Sequence, residues 1–201
     1  MGAILKRELS SYFNSATAYV VMAIYFIFSG IFFTAICFGY NTTSLAGVYG
    51  NMFYIIMFII PIITMKTFSE EKRQKTDQAL LTSPTSLTEI VIGKFLGAFI
   101  LFAACCCIFL VYAVVISFYA TPDWSVILCT FIGIILLGAA LISVNVFISA
   151  LTESMIIAAV AGMALGLLIS FLGNIGDIIS VDWITTVLEK INPLNYYTNF
   201  T

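Results

Sequence analysis

Charged side chains are scarce in this chain and crowded where they occur. Only 9% of the 201 residues are Asp, Glu, Lys or Arg, yet Lys66, Glu70, Glu71, Lys72, Arg73, Lys75 and Asp77 fall within little more than three helical turns. They belong to a polar island from Met65 to Lys94, MKTFSEEKRQKTDQALLTSPTSLTEIVIGK, set between two long apolar runs. A charge at the centre of a bilayer costs about 2.5–3.5 kcal/mol, so these charges together would cost roughly 15–25 kcal/mol if additive. The island therefore lies in water, and it is where the chain meets the soluble world. Gln74 to Leu81 can form two helical turns with an apolar edge at Ala79, Leu80 and Leu81, and Ser83-Pro84 favours a stop. A short helix with charged flanks and an apolar tip can transmit a push. Ser86 and Glu89 then have the spacing of a capping box for re-entry into the next apolar run.

Other chemistries find little support. Histidine is absent, which removes the commonest general base and metal ligand. Cys37, Cys105, Cys106, Cys107 and Cys129 all lie in apolar runs without CxxC spacing, as small residues packed between helices do. No metal site or catalytic residue is expected. No GxxxxGK[ST] is present, since Gly93-Lys94 is followed by Phe95 and lacks the upstream glycine, so the chain has no P-loop for ATP. No basic patch with interleaved aromatics points to nucleic acid. An ion-coupled carrier places charged groups inside its spans, and a membrane enzyme needs a nucleophile and a base at the interface; neither pattern occurs here.

The elements that must position the island are membrane helices. Apolar residues make up 62% of the chain and mean hydropathy is +1.11, against about 45–50% apolar residues in a soluble domain. The expected fold is an all-α polytopic membrane protein forming one domain over residues 1–201. An amphipathic helix lies in GAILKRELSSYFN, too short and charged to span. Five spans follow at about 18–38, 48–65, 95–119, 125–150 and 155–172. Pro61 is expected to kink or unwind the end of span two. Asn145 is expected to bond a neighbouring helix. Gly93xxxGly97 and Gly162xxxGly166 allow close helix approach, within the chain in preference to a dimer seam. Two glycosylation triplets, at Asn41 and Asn199, carry little weight. Residues 174–201 read as an external segment with a short amphipathic helix, Asp182 capping it and Pro193 ending it.

Orientation follows from the bases. With a cytoplasmic N-terminus, Lys6, Arg7, Lys66, Lys72, Arg73, Lys75 and Lys94 all fall inside and only Lys190 outside. The segment 66–94 and the turn at Glu153 are then cytoplasmic.

The order of these features, KREL followed by SYFNSATAYV, two spans, TMKTFSEEK with LLTSPTSLTEIVIGK, and later ISALTES, resembles the membrane subunit of a type 2 ATP-binding-cassette exporter of bacteria. The resemblance covers nearly the whole chain. It implies a permease in the bacterial inner membrane, working as one of two permease chains with a separate cytosolic ATPase that holds ATP and magnesium. It implies a coupling element between about Ser69 and Ser83, with Glu70, Glu71, Lys72, Arg73, Thr76, Asp77 and Leu80 as ATPase contacts, and a second, shorter contact at Thr152, Glu153 and Ser154. Tyr25, Phe28, Phe32, Tyr54, Phe58 and Asn145 would line a pathway for an amphipathic cargo. The family has a sixth span where this sequence stops at Thr201, and truncation is the favoured explanation. A self-sufficient channel or secondary carrier is the alternative reading.

Overall fold

The computed structural model describes residues 2–40, 42, 44–75, 86–119 and 123–176. Every regular element among them is helical. α1 covers Gly2–Phe13, α2 Ala16–Phe33, and a π-helical turn Thr34–Phe38 continues α2. α3 is Ala46–Thr64, α4 Lys66–Gln74, α5 Leu87–Cys106, α6 Ile108–Ser117, α7 Trp124–Leu151 and α8 Met155–Gly176. The stretches Ala16–Phe38, Ala46–Arg73, Leu87–Ser117 and Trp124–Leu151 are long and apolar enough to cross a bilayer, and Met155–Phe171 adds a shorter apolar helix. The chain is an all-α polytopic membrane protein, as its composition requires. Residues 177–201, with the expected external helix, lie outside the described residues.

α3 is the centre of the bundle. Val48, Met52, Ile56 and Ile60 are fully buried along one face of it, and α2, α7 and α8 all pack against it. Small residues let these helices close up, because a glycine carries no Cβ to hold backbones apart. A Cβ at Gly162 of α8 would fall 3.0 Å from Pro61 Cβ, and one at Gly166 3.4 Å from Met57 Cβ. Both GxxxG pairs are therefore used inside the chain: Gly162 and Gly166 against α3, Gly93 and Gly97 against α1. Between α2 and α6, Ser29 Oγ lies 2.6 Å from Tyr112 Oη, and the Phe33 and Tyr112 rings stack at 4.3 Å.

Three details differ from the sequence pattern. The third span is two helices, interrupted at Cys107, where Leu110 N–H bonds the Cys107 carbonyl in a tighter three-residue turn. Pro61, expected to kink or unwind the end of span two, sits inside α3, which runs on to Thr64 before a turn at Met65, whose N–H bonds the Pro61 carbonyl at 2.8 Å. Asn145 does not bond a neighbouring helix. Its amide donates to Leu141 O of its own helix at 2.8 Å, and its Oδ1 has no hydrogen-bond partner. That oxygen rests where a Gly162 Cβ would be, 2.0 Å from the ideal position. The backbone of α7 provides the nearest carbonyl, and α8 presents only a glycine, so the amide turns inward.

Gly162→Ala is thus expected to push directly on a buried amide and to destabilise the chain by about 1–3 kcal/mol, the usual cost of overpacking. In an Asn145→Ala background the same substitution should cost much less. Thermal unfolding of the four proteins of this cycle in nanodiscs measures it, and strict additivity would rule the contact out as the cause.

Candidate functional site

The polar end of the bundle is built around one lysine. Lys94 stands in the second turn of α5, flanked by Gly93 and by Gly97 on the next turn. These glycines admit α1: a Cβ at Gly93 would lie 2.8 Å from Ile4 Cγ2, and one at Gly97 3.1 Å from Glu8 Cβ. Ile4, Glu8 and Tyr12 share one face of α1 at four-residue spacing, so seating that face on α5 buries Glu8 beside Lys94. The third wall is α4, which follows α3 after the single residue Met65.

Lys94 is 1% exposed, and an ammonium has three donors to satisfy. It meets Glu8 Oε1 at 3.2 Å, Glu71 Oε2 at 2.9 Å and the Thr67 carbonyl at 2.7 Å. The Phe68 ring centroid lies 5.0 Å from it, within cation–π range. Glu71 turns its other oxygen to Arg7 Nη2 at 2.8 Å. Arg7, Glu71, Lys94 and Glu8 form a closed chain of alternating charges joining α1, α4 and α5. Tyr12 continues the seam from α1, its hydroxyl 3.3 Å from the Ile63 carbonyl and 3.1 Å from Thr67 Oγ1. Burial raises its pKa to about 12, offset in part by the Thr67 hydrogen bond, so the phenol stays neutral.

α4 is also fixed to the end of α7. Ser149 Oγ accepts from the N–H groups of Phe68 at 3.2 Å and Ser69 at 3.3 Å, and lies 3.0 Å from Ser69 Oγ. It thereby satisfies donors that the first turns of a helix leave open. Lys72 Nζ donates to the Ala150 carbonyl. α7 ends one residue later, and Thr152 Oγ1 bonds the Ser154 carbonyl at 2.9 Å in the turn to α8. The charged helix and the Thr152–Ser154 turn are therefore joined through the end of α7.

The sequence-selected residues fall into distinct places. Glu71 and Lys72 are half-buried and committed to bonds within the chain, Glu70 is half-buried, and Arg73 and Glu153 are exposed. Thr76, Asp77 and Leu80 lie outside the described residues. A helix starting at Gln74 conflicts with Lys75, which takes a left-handed conformation with φ 57° and ends α4. Among the described residues of the island, Lys66–Gln74 is helical as α4 and Leu87 opens α5; residues 76–81 of the expected helix lie outside the described residues. Re-entry is as expected: Ser86 Oγ accepts from the Glu89 N–H at 3.3 Å. Of the pathway residues, Tyr25 is fully buried, its hydroxyl 3.7 Å from Cys106 Sγ. Asn145 is buried, Phe32 half-buried, and Phe28, Tyr54 and Phe58 are exposed on the outside of the chain.

Lys94, Glu8 and Ser149 were missed as site residues. Glu8 carried a signal, since it interrupts the apolar face Ile4–Tyr12 at its midpoint. Lys94 carried another, standing beside a GxxxG pair. Ser149 carried none, because a serine in an apolar run looks like packing until the helix that it caps is in place.

The described residues form a multi-helix membrane bundle with a charged helix held across its polar end. The chain matches the profile described as ABC-2 family transporter protein over residues 34–201 and belongs to that family. It is an integral multi-pass permease, of a family whose membrane subunits work with an ATP-binding partner. The match begins in the π-helical turn, so α1, with Arg7 and Glu8, lies outside it. Neither a curated protein nor a solved structure matches the chain.

Lys94→Met leaves two buried carboxylates without their shared cation and should destabilise the chain by about 3–5 kcal/mol. Adding Glu8→Gln should recover part of that loss. Thermal unfolding in nanodiscs decides the matter; a Lys94→Met chain that melts with the wild type would show that the cluster does not hold this end together.

Proposed function

We propose that this chain is the membrane-spanning subunit of an ATP-driven exporter, coupled to a separate cytosolic ATPase through the segment between its second and third spans. The observation that carries the reading is the mechanical position of α4. It follows α3 after one residue, pairs with α1 and α5 through Glu71, and is capped by Ser149 of α7. A force applied to α4 or to the residues that follow it reaches four other helices through short polar bonds. An ordinary solvated loop would have no reason to be held this way. The residues contacting the ATPase are then the exposed Arg73 and Glu153, together with Thr76, Asp77 and Leu80; Glu70, Glu71, Lys72 and Thr152 support them from within.

The bases Lys6, Arg7, Lys66, Lys72, Arg73, Lys75 and Lys94 favour a cytoplasmic placement of this end, with the N-terminus inside and the bacterial inner membrane as the setting. ATP and its magnesium belong to the partner, whose closure drives alternating access in an assembly of two permease chains and two ATPase domains. Phe28, Tyr54 and Phe58, exposed on this chain alone, are the pathway-facing aromatics in this reading.

Co-expression with ABC ATPase subunits of the same genome, followed by purification on a tag on the permease, tests the proposal. The wild-type chain should retain the ATPase and alter its rate of hydrolysis, while Leu80→Asp should release it with the membrane domain still folded. If the wild type retains no ATPase, the reading fails, and ion flux in liposomes becomes the test of the channel alternative.

A further inference from the structure

The sequence of the charged helix, KTFSEEKRQK, reads as mixed charge, but the folded surface is not mixed. Glu8 and Glu71 are turned inward onto Lys94 and Arg7. Glu70 and Glu89 are half-buried. Lys66 is drawn to Thr17 Oγ1 at 3.2 Å and Lys72 to the Ala150 carbonyl. Lys6, Arg73 and Lys75 remain exposed, their side chains with no hydrogen bond or ion pair among the described residues, and Arg7 keeps 58% of its side chain exposed beyond its bond to Glu71. Among the described residues of this end, the exposed carboxylate is Glu153. Internal ion pairs hold Glu8 and Glu71 inward, while Lys6, Arg73 and Lys75 stay outside.

We propose that this end of the permease is a basic docking surface, centred on Arg73 and Lys75, and that it receives an acidic face of the ATP-binding partner. The inference rests on the coupling reading above and specifies its chemistry. Anionic lipid headgroups are the other occupant that positive charge would attract, and the geometry disfavours them for Arg73 and Lys75. α7 is one unbroken helix of 28 residues, about 42 Å at 1.5 Å per residue, against a hydrocarbon core of about 30 Å. Lys72 ties α4 to the far end of α7, beyond the acyl chains and beside the Thr152–Ser154 turn, whose Glu153 is exposed. The left-handed Lys75 turns the chain at that point and keeps both bases at the tip of α4. Complementary charge across such a surface acts mainly on encounter rate and is weakened by salt.

The test uses the full chain in nanodiscs of neutral lipid and, separately, of anionic lipid, with binding of the ABC ATPase that co-purifies with it measured at low and high salt. Arg73→Gln/Lys75→Gln should weaken binding, and Arg73→Glu/Lys75→Glu should weaken it further, by about tenfold or more at low salt. The wild-type affinity should fall with salt and the reversed variant's should not. If the reversed variant binds the ATPase as tightly as the wild type, with the same salt dependence, the acidic-partner proposal is overturned while the coupling reading stands. If its defect appears only in anionic nanodiscs, the bases serve headgroups and the proposal is likewise overturned. If the wild type binds no ATPase in either lipid, the coupling reading fails and takes this inference with it.

Discussion

A lysine ammonium with 1% of its side chain exposed is the constraint on which the polar end of this protein depends. Removing an ion from water costs several kcal/mol even after the protein relaxes. Lys94 can stay charged only if acceptors surround it, and no single helix supplies them. Glu8 must come from α1, Glu71 and the Thr67 carbonyl from α4. The positions of three helices are thereby coupled to the solvation of one nitrogen. Displacing any of them leaves a buried charge short of a partner.

Such a cluster is a poor source of net stability, because the attraction within it is offset by the desolvation of Lys94, Glu8 and much of Glu71. What it supplies is registry. Apolar helices slide past one another at low cost in lipid, since one methyl contact resembles another and no hydrophobic force distinguishes them. A closed chain of Arg7, Glu71, Lys94 and Glu8 admits one arrangement. The glycines at 93 and 97 set how deep α1 lies, and the charges set where along α5 it stops.

The fold was readable because bilayer thickness and backbone hydrogen bonding leave little choice. The spans expected at 125–150 and 155–172 correspond to helices at Trp124–Leu151 and Met155–Gly176. The site was readable in place but not in detail. Density of charge located the island, yet pattern reasoning did not pick out the helix at Lys66–Gln74, and nearly all of the 74–81 segment it chose lies outside the described residues. Pattern reasoning favoured 74–81 for its apolar edge; α4 forms where it does because Ser149 and Lys94, distant in sequence, supply the bonds for its first turns. Assigning Lys94 to a solvated segment followed the rule that charge lies in water. A lysine with carboxylates on two converging helices escapes that rule, and a single sequence does not show convergence. Asn145 was misread for the converse reason, as its expected partner helix presents Gly162 at the point of contact.

Successive turns at the C-terminal end of α3 are held by different kinds of interaction, and this bears on how a push on α4 would be used. Near Met65 the contacts are directional hydrogen bonds, from Ser149, Tyr12 and Thr64 to backbone groups. One turn away, Pro61 has no N–H to give, Gly162 lies against it, and Asn145 Oδ1 is unpartnered. An unsatisfied buried acceptor costs about 1–3 kcal/mol, and a proline removes a rung of the helix ladder. The bundle is thus stiff where α4 is attached and least committed just inside the membrane. A displacement entering through α4 would be carried intact past the polar bonds and taken up at the Pro61, Asn145 and Gly162 contact, where α3, α7 and α8 meet and where a new arrangement forfeits the fewest hydrogen bonds.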